Sequence, residues 1–352
     1  MKKTFFLLLL PILGFGQGRK YSNEFLNIGV DARAFGMSNA VVASVSDISS
    51  AYWNPAGLMR TNNQYQFAAM HAEYFASLAQ YDYLAASMPI DATSVAAVSL
   101  IRFGVDDIPD TSELIDSEGN VNYDRIRLFS AADYALFLSY ARSSEKIAGL
   151  NFGGNVKLIY RNIGRFADAF GFGFDLGAQY KRKNWEFGGV LRDATSTFNA
   201  WSVNEDALGD VFLQTGNEAP RNAIELTLPR LTLGVARKWD LNEKYALRTE
   251  VNAEFTFDGQ RNTLVTANFG NIDPSLGLEL GYQGIVFIRA GVSNFSRTLD
   301  FSGERKVTLQ PNMGIGFYYK GISLDYALTD IGDVSTALYS NIFSLKFFLA
   351  KK

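Results

Sequence analysis

From about residue 62 onward, apolar and polar residues alternate along the chain with a period of two. Phe170, Phe172, Phe174, Leu176, Ala178 and Tyr180 share one face of an extended segment, and Gly171, Gly173, Asp175, Gly177 and Gln179 take the other. The same division recurs in 245–257, where Tyr245, Leu247, Val251 and Phe255 oppose Arg248, Glu250, Asn252 and Glu254. It recurs again in 151–161, with Phe152, Val156, Leu158 and Tyr160 against Asn151, Asn155, Lys157 and Arg161. A slip of one residue would invert each face, so the register is strongly specified.

The pattern predicts about fourteen strands, centred near Phe67, Leu84, Val98, Leu136, Val156, Phe174, Val190, Val235, Val251, Leu278, Phe287, Ile315, Leu324 and Leu345. Many reach the length of about 9–11 residues that a tilted membrane-crossing strand requires. From the second connection onward, short and long links alternate. Pro89–Asp91, Arg142–Lys146, Lys181–Asn184, Asp240–Lys244, Gln283–Gly284 and Lys320–Gly321 read as tight turns. Gly104–Arg125, Arg161–Ala169, Asp193–Leu226, Asp258–Pro274, Asn294–Lys306 and Thr329–Ser340 read as long loops. Tight turns at one rim and long loops at the other describe a transmembrane antiparallel β-barrel, all-β in class, with its aromatic face toward lipid and its polar face toward the lumen. In a secreted soluble sandwich the apolar face would be core, but such a fold gives no reason to sort the loops. An even strand number places both ends of the barrel at the tight-turn rim, expected to be periplasmic.

Composition narrows the chemistry. The 352 residues include no Cys and a single His, which removes disulfides, thiolate metal sites and a Cys nucleophile. His71 has no G-x-S-x-G partner motif, so no hydrolase is expected. A net charge of −3 supplies no field for nucleic acid. The acidic run Asp106 to Glu118 lacks the spacing of a calcium loop, and glycine-rich GFGFDLG lies inside a strand rather than before a helix. Neither a cofactor nor a metal site is expected. MKKTFFLLLLPILGFG has the basic start and short apolar run of a secretory signal. The expected organisation is therefore a signal peptide at 1–16, an N-terminal plug at 17–61 and an outer-membrane barrel at 62–352.

DISSAYWNPAGL, residues 47–58, fits none of the strand pattern. Ser46 or Asp47 is placed to cap a short helix, Pro55 to end it at Asn54, and Gly57 to let the chain double back. Too polar for lipid and placed before strand one, it is expected in the lumen, with Tyr52 and Trp53 against the inner wall. Asp31-Ala32-Arg33, Gly36-Met37, Asp47 and Tyr52-Trp53-Asn54-Pro55-Ala56-Gly57-Leu58 together resemble the N-terminal signature of the PorV/PorQ family of Bacteroidota-type outer membranes. Later stretches, LPRLTLGVARKW and GIGFYYKGISLDYAL among them, extend the resemblance over nearly the whole mature chain. It implies a FadL-like barrel of fourteen strands with a plug. It also implies a role in type IX secretion, with a translocon, secreted cargo and a surface sortase as partners alongside outer-membrane lipid.

Two functions follow as expectations. One is a non-enzymatic secretion component engaging cargo through its outer loops, with Phe198, Trp201, Val211, Phe212 and Leu213 as the candidate contact residues, because apolar rim residues mark binding surfaces. The other is a FadL-like uptake channel for hydrophobic small molecules.

Overall fold

The computed structural model describes residues 22–61, 64–75, 77–115, 118–208, 212, 218, 220–267, 270–299, 305–329 and 340–350. The expected signal peptide lies outside these residues. The strands of the described chain begin with β1 (Gln64–Tyr74), β2 (Ala79–Asp91), β3 (Ser94–Asp110), β4 (Arg127–Ser143), β5 (Leu150–Ile163) and β6 (Ala167–Arg182). They continue with β7 (Trp185–Arg192), β8 (Thr197–Val203), β9 (Ala223–Thr227), β10 (Arg230–Asp240), β11 (Tyr245–Thr256) and β12 (Val265–Ala267). The last are β13 (Gly270–Tyr282), β14 (Val286–Leu299), β15 (Arg305–Tyr319), β16 (Ile322–Thr329) and β17 (Ser340–Ala350).

Fourteen of these form a closed antiparallel ring, β1 to β7, then β10, β11 and β13 to β17. The ring closes where β17 pairs with β1, from Gln64↔Ala350 to Glu73↔Asn341. Each strand centre read from the sequence falls in a separate ring strand. Closure removes the free edges that would otherwise template aggregation. Phe170 is 64% exposed on the outer wall, whereas Asp175 on the same strand is 3% exposed inside. The alternation therefore sorts as a lipid-facing barrel requires. Tyr134 stacks on Tyr160 and Tyr326 packs on Phe343 in one interfacial row, and Tyr245 pairs with Tyr282 near the other end of the wall.

Several connections differ from their reading in the sequence. The stretch 193–226 is not one loop. The line of β7 breaks at Asp193–Ser196 and resumes as β8, which pairs with the first half of β6 through Phe172↔Phe198 and Ala167↔Val203. β9 resumes the line of β10 in the same way and pairs with β8. Asp193 and Ser196 adopt positive φ, which is why the polar DATS looks like a loop while being a bulge. Arg161–Ala169 is mostly strand, because β5 runs to Ile163 and pairs with Ala167, leaving Gly164 (φ +50°) at the turn. Pro89–Asp91 belongs to β2, and the turn falls at Ala92-Thr93, where the Asp91 carboxylate accepts from the Thr93 amide at 2.7 Å. β13 starts at Gly270, before Pro274, and carries that proline opposite Ala253.

The hydrophobic core lies in the lumen, between residues 22–61 and the inner wall. This segment starts in the half of the lumen away from the tight turns (the far half), where Asn23 Nδ2 donates to Thr227 Oγ1 at 2.9 Å. A short helix α1 (Ala32–Gly36) packs on β15 and β16, and α2 (Ser50–Trp53) faces β3 and β4. A 3-10 turn over Pro55–Arg60 packs on β4, β5 and β6 before the chain enters β1. Val30, Val41, Ile48 and Leu58 are fully buried. Each such side chain contributes about 1.5–3 kcal/mol on burial.

Candidate functional site: the filled lumen and its cavity

The signature residues are anchors. Lys346 of β17 places its Nζ 2.6 Å from Asp31 Oδ2 and 2.7 Å from Asp47 Oδ2, tying two points of the segment to the last strand. Burial pushes the Asp31 carboxyl up, outweighing Lys346. At Asp47 burial also pushes upward, but the Lys346 ammonium and Arg33 guanidinium together hold the carboxyl at about 2. Arg33 grips Glu279 with two bonds, at 2.8 and 3.2 Å, and Glu279 also accepts from Arg248 and Arg289. Arg289 passes the chain of charges on to Asp325 at 2.6 Å. Arg60 pairs with Glu186. Paired and hydrogen-bonded in this way, the charges tolerate a buried lumen, where a lone one would not.

The backbone of the segment runs so close to the wall that glycine is required there. A Cβ at Gly153 would overlap the Pro55 carbonyl group, and one at Gly188 would overlap the Val42 carbonyl. Gly36 and Gly314 meet face to face, and a Cβ at Gly36 would lie 3.0 Å from the Gly314 Cα.

The DISSAYWNPAGL stretch folds somewhat differently from its reading in the sequence. α2 begins at Ser50, and Ser49 at its N-cap makes no side-chain cap. The Asp47 carboxylate instead accepts from the Ser49 amide at 2.9 Å. Asn54 is extended, at φ −160° and ψ 102°, as the following proline demands. Its side chain donates to Val42 O at 3.0 Å and to Ala178 O of the wall at 3.1 Å. Gly57 has no positive φ; it is needed because a Cβ would sit 2.5 Å from Val45 O and 2.6 Å from Ser50 Oγ. Tyr52 packs edge-on against Phe137 of β4 and donates to Leu26 O at 2.6 Å. Trp53 packs edge-on against Tyr52 and donates to Val30 O at 2.8 Å. The two rings thus bind the segment to itself as much as to the wall.

Above this layer, in the far half of the lumen, lies a cavity of about 390 Å³. Ile28, Phe35, Tyr52 and Trp53 contribute its apolar floor, and the wall contributes Arg192, Arg230, Asn252, Glu254, Asp273 and Asn312. Arg230 lies 3.5 Å from Glu254, and Arg261 pairs with Asp258 and Glu24. Arg192 lies with its guanidinium 4.4 Å from the Tyr52 ring centroid and 5.4 Å from that of Trp53, a cation–π arrangement. Sequence reading missed both Arg192 and Arg230. Each looks like an ordinary inward polar residue at a strand end, and only the pairing of β7 with β10 brings them opposite each other.

Of the candidate contact residues, Phe198 and Trp201 lie in β8, not in a loop. Phe198 faces outward with its ring 4.2 Å from that of Phe172, and Trp201 lies inside under Arg161 at 5.1 Å. Phe212 is half-buried, while Val211 and Leu213 lie outside the described residues. His71 sits on the outer wall, 2.7 Å from Asp82, whose other oxygen lies 3.7 Å from Arg102. Among the described residues no group of His, Asp and Glu converges on a metal position.

No protein-family model matches the chain, and no curated protein matches it. Solved structures do. The monoaromatic hydrocarbon channel CymD aligns over 92% of this chain and 98% of its own, at 11% identity and a TM-score of 0.55. The toluene transporter TodX of P. putida aligns over 92% and 99%, at 13% identity and 0.54. A FadL homologue of Pseudomonas aeruginosa aligns over 91% and 98%, at 12% identity and 0.51. At these identities the likeness is one of fold, and the fold of this chain is that of the FadL-like outer-membrane barrels, a closed ring of fourteen antiparallel strands.

Proposed function

We propose that this chain is a non-enzymatic outer-membrane channel for small molecules, exported by its N-terminal signal and plugged by residues 22–61. In this reading the far rim faces the outside. Solute enters the 390 Å³ cavity and meets the plug at Phe35, Tyr52 and Trp53. One observation carries it: the cavity is floored by the very segment that fills the lumen, so an occupant would touch the gate directly. The likeness to hydrocarbon and toluene transporters supports a ring-bearing solute. The polar wall narrows that class to molecules with a polar group as well.

A second reading, a type IX secretion component contacting translocon, cargo or sortase, rests on the DARA…YWNPAGL signature. The signature residues are occupied in holding the segment, which gives them a structural role in either reading. A deletion strain separates the two. Slowed uptake of small aromatic solutes, with cargo export intact, is the expected result. Normal uptake with lost surface attachment of type IX cargo would overturn the channel and support the secretion role.

A further inference from the structure

We infer that the far-side cavity is a binding site for a small, ring-bearing organic monoanion, with Arg192 as the acid-recognising residue. This rests on the channel reading for its biological meaning, though not for its chemistry. Arg192 and Arg230 are direct cross-strand partners on β7 and β10, and both line the cavity. Like charges placed directly opposite on one face destabilise a sheet unless something neutralises them. Arg230 is neutralised: it lies 3.5 Å from Glu254 and 4.0 Å from Asp193. Arg192 is not. It is 9% exposed, it donates at 3.3 Å to the Tyr52 carbonyl, and among the described residues no carboxylate stands within ion-pair distance.

A buried guanidinium with donors to spare and no carboxylate in contact leaves hydrogen-bonding capacity open to the cavity, and its planar fork is the group best matched to a carboxylate. The neighbouring surfaces define the rest of the ligand. Tyr52, Trp53 and Phe35, though only 3%, 6% and 6% exposed, turn the part that is open toward the cavity beside the guanidinium, where it can touch a ring. Glu254 and Asp273, partners across β11 and β13, line the same cavity and would repel a second acid group. A single-ring monoacid therefore fits better than a neutral hydrocarbon or a diacid.

The test is calorimetric titration of the full-length barrel in detergent with benzoate and with its neutral counterpart benzamide. Benzoate is expected to bind at least about tenfold more tightly, and Arg192→Gln to lose that preference, while Arg192→Lys keeps part of it. Equal affinity for the two probes, or no benzoate binding, overturns the inference, and this comparison needs no variant. Flux of both probes into proteoliposomes is measured alongside. Benzamide flux without a benzoate preference leaves the channel standing and removes the site. Benzoate binding without flux of either probe keeps the site and removes the channel.

Discussion

Replacing Lys346 by Met removes the cation that is in direct contact with both the Asp31 and Asp47 carboxylates. The three side chains are 2%, 3% and 16% exposed, and the contacts are 2.6 and 2.7 Å, so solvent cannot take over the role of the ammonium. Breaking a buried ion pair from one side costs about 3–5 kcal/mol, because the remaining charge stays desolvated. Here two carboxylates remain, facing each other. The ladder between β17 and β1 is untouched, so the cost falls on docking of residues 22–61 rather than on the ring. Ten-fold per 1.4 kcal/mol turns the lower bound into at least about a hundredfold rise in the undocked population. Trypsin reads this directly, since Arg33 and Arg60 are held inside the lumen. Cleavage at those positions should accelerate by about that factor in Lys346→Met, while the heat-modified mobility of the barrel in detergent gels is retained. Adding Asp47→Asn to Lys346→Met should recover part of the loss. A cleavage rate for Lys346→Met within threefold of the parent would refute the reasoning.

Other consequences follow from the same geometry. Gly153→Ala should displace Pro55 and loosen the segment in the trypsin assay, whereas Gly189→Ala, which meets the Leu233 side chain at 3.3 Å, should change little. Tyr52→Phe leaves the buried Leu26 carbonyl without its 2.6 Å donor and should weaken docking by about 1–3 kcal/mol, measured as a rise in the same cleavage rate. Docking should also depend on pH. Asp47 is held at about 2, below its usual 3.8, so its contribution is present above 3.8 and is lost as pH falls toward 2. Asp31 is shifted upward and opposes this, since its protonation relieves the cost of a buried charge. Asp47 thus supplies the arm that loosens the segment in acid, and Asp47→Asn should flatten the acid limb of a pH titration of cleavage.

The ring was legible in the sequence because its signal is local: a two-residue period in each strand, with Phe and Leu outside and Asp, Asn and Gln inside. Interruptions were not. Asp193-Ala194-Thr195-Ser196 has the composition of a loop, and nothing local reveals that Phe198 rejoins the wall against Phe172 or that Leu226 pairs with it. The role of the N-terminal signature was half legible. Its polarity and its place before β1 indicate the lumen, but the partners of Asp31 and Arg33 lie 315 and 246 residues away, at Lys346 and Glu279. The Arg192 site was not legible at all, since it exists only through the pairing of β7 with β10 and the approach of Tyr52 from the segment.

The most direct test of the account is the ionic conductance of the barrel in planar bilayers, with and without residues 31–61, after gel mobility has shown that both forms are folded. The full chain should be close to silent and the shortened one should pass ions freely. A folded barrel that conducts no better without those residues would contradict the claim that they close the lumen.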